Sequence, residues 1–199
     1  MIENIFEHHI ILQNERALLR PLQLSDTSSL IPFVLEDPTT WKYSLNGPKD
    51  ETSMINYIET AIQNRIEKKE YPFIIFDKQT NEYAGCTRFY DIQQQFKTTQ
   101  LGYTWYGKKF QRTGLNRNCK LLLFTFVFEE WGLERVELRA DVRNEKSINA
   151  MKAIGCIQEG ILRNHLPNNE GGRRDSILLS ILKNEWYNHV KKLIIDKIV

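Results

Sequence analysis

Lys108, Lys109, Arg112 and Arg117 gather around Gly114 at one junction of the chain, and there the residue types point first to chemistry. An extended aromatic stretch, Leu101-Gly102-Tyr103-Thr104-Trp105-Tyr106, precedes the junction, and Leu115 to Trp131 follows it with apolar residues at helical spacing. The first turn of a helix carries N–H groups without intrahelical partners, and its aligned peptide dipoles leave that end partly positive. A glycine there lets a phosphate approach the backbone, so strand, cationic turn and helix start together suit a phosphate-bearing ligand. No Gly-Lys-Ser/Thr follows and the three-glycine dinucleotide spacing is absent, which removes two common nucleotide loops. On these residues alone, a solvated basic turn ahead of a core helix reads equally well.

Other reactive types are scattered. Cys86, Cys119 and Cys156 stand far apart with no CxxC pair, which argues against a zinc knuckle or a disulfide framework. Each lies among apolar neighbours and reads as a buried small hydrophobe, so no metal is expected. A net charge of +2 over 199 residues is too small to argue for nucleic acid. The first ten residues hold Glu3, Glu7, His8 and His9, not the basic-then-apolar order of a signal peptide. No apolar run approaches the roughly 20 residues of a membrane span. The expectation is a cytoplasmic, soluble chain with no membrane partner.

The elements that must position the junction follow from periodicity. Ala17 to Leu22 reads as a first strand near an edge, and Ser25-Asp26 as the cap of a short helix that stops at Asp37-Pro38. Ile55, Ile58, Ile62 and Ile66 line one face of a helix over Thr52 to Lys69. Pro72 to Phe76 and Tyr83 to Tyr90 form a hairpin, and the polar stretch through Gln93-Gln94-Gln95 is a loop before the aromatic strand. Leu115 to Trp131, apolar over most of its circumference, belongs against a sheet and ends at Gly132. Glu134 to Val142 alternates charged and apolar residues as a strand does, and Asn144 caps a helix to Ile154. Glu159 to Arg163 starts another strand, the loop Pro167 to Gly172 follows, and Asp175 to Leu182 is the last strand before a helix near Asn184. No repeat or linker interrupts 1–199, so a single domain with a core of about 16–186 is expected.

In this order the chain resembles the GNAT superfamily of acyl-CoA-dependent N-acyltransferases, in particular the RimJ/RimL-like branch of ribosomal-protein-alanine acetyltransferases. The resemblance rests on Gly102-Tyr103-Thr104-Trp105, Gln111-Arg112-Thr113-Gly114-Leu115-Asn116, Phe128 to Val136, Asn144-Glu145-Lys146-Ser147, Glu159-Gly160 with Arg163, and Arg174-Asp175 ahead of Glu185-Trp186. It implies an α+β, single-domain fold with a central mixed, mostly antiparallel sheet of about seven strands flanked by helices. It also implies acetyl-CoA as donor, without a metal. By position, the splayed strand Tyr103 to Tyr106 would offer its backbone to pantetheine through Thr104, Trp105 and Tyr106. An N–H on that strand, from Tyr103 onward, would steady the oxyanion. Gln111, Arg112, Thr113, Gly114, Leu115 and Asn116 would hold the pyrophosphate, Asn144 would reach the pantetheine, and Ser147 or solvent would protonate the departing thiolate.

Two positions depart from the family pattern. Met151 stands where many members carry a tyrosine acid, and Gln100 stands where the branch often has a glutamate base. Asp141, Glu137, His165 and Asp175 are the replacement bases to consider, while Trp41, Gln100, Arg163, His165 and Asp175, with Arg173 and Arg174, are candidates for the acceptor pocket. The resemblance implies direct acetyl transfer to a primary amine, a protein N-terminus or a small molecule. A CoA-binding or interaction module that has lost turnover is the alternative; direct RNA binding has no stacking pattern to support it. A homodimer stays open.

Overall fold

The computed structural model describes residues 2, 4–45, 47–168 and 170–198; Glu3 and Asn169, named above, lie outside these. Its strands are β1 (Leu12–Gln13), β2 (Ala17–Pro21), β3 (Glu70–Asp77), β4 (Glu82–Gln93), β5 (Thr98–Tyr106), β6 (Arg135–Asp141), β7 (Ile157–Pro167) and β8 (Arg173–Leu182). They form one eight-stranded sheet in the order β1-β2-β3-β4-β5-β6-β8-β7. Only the β5–β6 pair is parallel; the others are antiparallel. The α+β class and the mostly antiparallel sheet are as expected. The eighth strand is β1, whose two residues are too few to show any period.

Helices cover both faces. On one side lie α1 (Thr27–Glu36) and α2 (Glu51–Ile66), and on the other α3 (Leu115–Thr125), which continues as a wider turn over Phe126–Trp131. Gly132, at φ 80°, ends it. Tyr71 to Ile75 of β3 are all buried, which is why that strand reads as a continuous apolar run. Phe126 stacks on Phe89 of β4 at 6.2 Å and Trp131 meets the same ring edge-on at 5.6 Å, so the long apolar helix seals this face. The C-terminal helix runs through Lys183–Glu185, Trp186–Val190 and Lys191–Ile195. Trp186 is fully buried against Phe128 and donates its Nε1–H to Glu129 Oε1 at 2.8 Å.

Local sequence sets the helix starts. Asp50 caps α2 by accepting from the Ser53 N–H at 2.8 Å, while Ser53 Oγ accepts from the Asp50 N–H. The expected cap of α1 takes another role, because the Asp26 carboxylate turns back to Arg20 at 2.6 Å and accepts from the Gln23 N–H. An arginine one strand earlier wins over the helix start, since charge-assisted pairs are stronger than a neutral cap. Helix α4 (Glu145–Ala153) begins at Asn144, whose Oδ1 accepts from the Ser147 N–H at 3.1 Å. All three cysteines are buried and unpaired. Among the described residues no group of His, Cys, Asp and Glu could hold a metal, and no helix is long and apolar enough to cross a membrane.

Candidate active site

Two neighbouring strands that part company create the site. β5 and β6 pair only at Thr98–Arg135, Thr99–Val136 and Gln100–Glu137. Beyond that, Leu101 to Tyr106 and Leu138 to Asp141 share no ladder, so one edge of β5 keeps backbone groups unpaired. A bulge on β5 helps the strands diverge: the register with β4 runs from Cys86–Trp105 to Arg88–Gly102, and Tyr103, at φ 49°, absorbs the extra residue. Gly85 holds β4 close at this point, since a Cβ there would sit 2.0 Å from the Trp105 carbonyl oxygen.

The cationic turn closes one end of the gap. Gly107 N–H donates to the Ala84 carbonyl and Gln111 Nε2 to the Tyr106 carbonyl, both at 2.9 Å, which ties the turn to the strand. Thr113 Oγ1 donates to the Phe110 carbonyl at 2.8 Å. Arg112 and Gly114 both take positive φ, 63° and 87°, and α3 then starts with no side-chain cap. Leu115 N–H reaches Thr113 Oγ1 only at 3.5 Å and Arg117 N–H turns back to the Gly114 carbonyl at 3.1 Å, so among the described residues the Asn116 N–H is the one at this helix start left without a partner. A Cβ on Gly114 would meet nothing within 4 Å, so the space before the helix is open and the backbone conformation alone favours glycine.

The four cations divide. Lys109 pairs with Glu82 at 2.6 Å and is neutralised there, while Arg117 donates Nη1 to the Lys197 carbonyl at 3.0 Å and keeps its charge and its other donors. Lys108 and Arg112 form no ion pair among the described residues. From across the gap Lys146 of α4 donates to Gln111 Oε1, a contact between the turn and the second wall that spacing could not reveal.

The remaining expected residues fall on both walls. Leu115 is buried, and Asn116 Oδ1 accepts from the buried Tyr106 hydroxyl at 3.2 Å. Asn144 spends its oxygen on the helix cap, leaving its Nδ2 and the half-buried Ser147 hydroxyl to face outward needs. Met151 is buried at the inner side of α4. Gln100 is 5 % exposed, donates Nε2 to Asp91 Oδ2 at 2.7 Å, and leaves Oε1 buried without a partner. Trp41 is buried edge-on against Trp105 at 4.9 Å, beneath the strand and not on an open rim.

His165 is half-buried with Nδ1 unpartnered; burial first, then Arg139, Arg174 and Arg173, hold its pKa below the ordinary 6.5. It is neutral at physiological pH. Asp175 accepts from the Asn164 N–H at 2.7 Å and so secures a bulge of β7, which makes it structural in the first place. Arg163 is exposed on the outermost strand, two strands beyond β6. Arg88, Tyr90 and Arg139 also reach this face and were missed. The signal for Arg88 was its place in an otherwise apolar central strand, where a charge needs a partner; Glu70 supplies it at 2.6 Å.

A family model described as an acetyltransferase (GNAT) domain matches residues 16–157. YdaF of Bacillus subtilis (strain 168), whose name carries a provisional assignment as a ribosomal N-acetyltransferase, is 28% identical over 180 residues, covering 87% of this chain and 94% of that one. A GCN5-related N-acetyltransferase from Brucella melitensis superposes with a TM-score of 0.88 at 20% identity, over 96% of this chain and 86% of that one. Mycobacterium smegmatis RimJ, solved with CoA-disulfide, gives 0.79 at 18% identity over 95% and 93%. At these last two identities the likeness is one of fold.

Proposed function

Because the chain belongs to the GNAT family of N-acetyltransferases, we propose that it transfers an acetyl group from acetyl-CoA to a primary amine by direct transfer in a ternary complex. The acceptor is a protein N-terminus or a small molecule; the YdaF relative is named for a ribosomal acceptor. One observation carries the reading: β5 leaves β6 after three paired residues, beside a helix start that is uncapped and opened by Gly114. Fold, charge and free backbone groups there fit a diphosphate with an extended arm.

Acetyl-CoA, when bound, supplies an activated acetyl thioester. Gly114 and Asn116 offer main-chain N–H groups to the diphosphate, joined by Leu115 once it gives up its 3.5 Å contact to Thr113 Oγ1, with Arg112, Thr113 and Gln111 shaping the turn. Thr104, Trp105 and Tyr106 offer the free edge of β5 to the arm, and Asn144 adds its Nδ2 from α4. The N–H at the Tyr103 bulge is the donor for the acyl oxygen, a role in which preorganised amides are effective. Ser147 or water protonates the departing thiolate, and where Ser147 does so its hydroxyl regains the proton from solvent. Gln100 cannot take a proton, and the neutral His165 is the residue best suited to accept one from the amine; holding a free amine in place supplies much of the rate in any case.

Two measurements test this. Millimolar acetyl-CoA raises the melting temperature, because a specific ligand stabilises the folded state by mass action. Mass spectrometry of pooled amines and peptides incubated with acetyl-CoA shows acetylated products. No thermal shift sinks the reading. A shift with no product favours the second reading, a CoA-binding module without turnover, which the engaged Gln100 and buried Met151 support.

A further inference from the structure

The face of the sheet open to an acceptor beside Tyr103 is crowded with cations and hydrogen-bond donors. Arg88 of β4 is 4 % exposed, and its guanidinium lies 4.1 Å from the centre of the Tyr103 ring. Arg139 is two residues past the last β5–β6 pair and shares its face with Glu137, so it stands where the strands part. Arg174 of β8 reaches across toward the segment after α1, donating Nη1 to the Tyr43 carbonyl and Nε to Ser176 Oγ, both at 3.1 Å. Three strands thus aim a guanidinium at one neighbourhood.

The carboxylates nearby are already engaged. Glu70 holds Arg88 at 2.6 Å; Glu137 is shared by Arg139 at 2.5 Å and Arg135 at 3.0 Å; Asp141 holds Arg143 at 2.8 Å. Among the described residues no carboxylate pairs with Arg174, and the Nη groups of Arg139 have no hydrogen-bond partner. The Nε1–H groups of Trp41 and Trp105 and the Tyr57 hydroxyl are buried without partners on the same side. Tryptophan Nε1 can only donate. A polyamine or an aminoglycoside would bring further positive charge and further donors to a face where, among the described residues, unpartnered guanidinium and indole donors outnumber the unpartnered acceptors Gln100 Oε1 and His165 Nδ1.

Resting on the acetyl-transfer reading, we infer that the acceptor amine carries a carboxylate, seated against Arg174 and Arg139 beside Tyr103. A planar guanidinium recognises a carboxylate through two parallel bonds; Arg139 keeps both Nη groups for such a pair, and Arg174 adds its Nη2. Free amino acids and peptides with an acidic N-terminal residue both present this group near a primary amine. No bond is made or broken by the arginines; they orient the amine toward the gap.

The test uses the full chain with CoA bound. Melting temperature is read with glycine, glycinamide, spermidine and a dipeptide amide beginning with glutamate, and acetylation of each by acetyl-CoA is followed by mass spectrometry. Glycine or the glutamyl peptide raises the melting point above CoA alone and is acetylated at least tenfold faster than glycinamide or spermidine; which of the two leads identifies a main-chain or a side-chain carboxylate. In Arg174→Gln and Arg139→Gln the preference for acid over amide narrows about tenfold, while the shift caused by CoA persists and reports a folded cofactor site. The inference is overturned if glycinamide or spermidine matches the acids, or if the variants lower acid and amide alike. Absence of the CoA shift in the parent chain would instead remove the acetyl-transfer reading on which the inference stands.

Discussion

Gln100 Nε2 donates to Asp91 Oδ2 at 2.7 Å across the β4–β5 pair, at the last residue of β5 that still ladders with β6. The amide thus occupies the root of the gap and neutralises nothing. Replacing it by glutamate sets two carboxylates in contact, and Gln100→Glu lowers stability near neutral pH by about 1–2 kcal/mol, the cost of a lost buried hydrogen bond plus like-charge repulsion. The loss shrinks as pH falls far enough to protonate one partner. Chemical denaturation at pH 7 and pH 4 measures both; equal losses at the two values would show that charge is not the cause.

Gly114 sits at φ 87° with open space where a side chain would go. Gly114→Ala therefore costs only the left-handed backbone conformation, about 1–2 kcal/mol, and not a clash. Acetyl-CoA binding weakens as the turn relaxes. Calorimetric titration with CoA checks the second effect, and an unaltered affinity would place the phosphate contacts elsewhere.

His165 keeps a pKa below the usual 6.5, through burial and then three arginines. Neutral in the folded chain, it contributes stability above the unfolded value that is lost as pH drops through the folded one. In a kcat/KM profile the acid limb of the parent enzyme lies below pH 6.5. His165→Gln removes that limb and lowers the plateau by tenfold or more if His165 takes the amine proton. A profile of unchanged shape in the variant would assign the limb to another group.

Lys120 of α3 is buried, forms no ion pair among the described residues, and is pulled by burial down to about 8 from 10.5. Burial makes its ammonium less favourable than in water, so the lysine costs stability below pH 8, and that cost fades between 8 and 10.5. Lys120→Met should stabilise the chain at pH 7 by up to about 3 kcal/mol, each pKa unit being worth 1.36 kcal/mol. The gain falls away toward pH 10.5. Thermal unfolding across this range measures it, and a destabilised Lys120→Met would reveal an unrecognised partner for the ammonium.

Much of the architecture was written in local pattern. The alternation from Glu134 to Val142, the apolar circumference of Leu115 to Trp131 and the Asn144 cap are short-range signals, and the chain adopts β6, α3 and α4 where they lie. The glycine and cationic turn before α3 followed from the same logic, because an uncapped helix start is local. Whether each cation stays free is not local. Lys109 meets Glu82 and Arg117 meets the C-terminal segment only after the sheet has closed.

What the sequence by itself determined is the succession of elements and the place of the cationic turn, because hydrophobic period, caps and left-handed glycines are decided within a few residues. Tertiary structure alone decided that β5 and β6 separate after Gln100, that Lys146 spans the gap to Gln111, and that Arg88 and Arg174 come to Tyr103 with Arg139 beside Arg174. These depend on strand order, on a bulge at one residue and on which carboxylates are already paired. Such competitions between distant groups leave no mark on the spacing of residues along the chain.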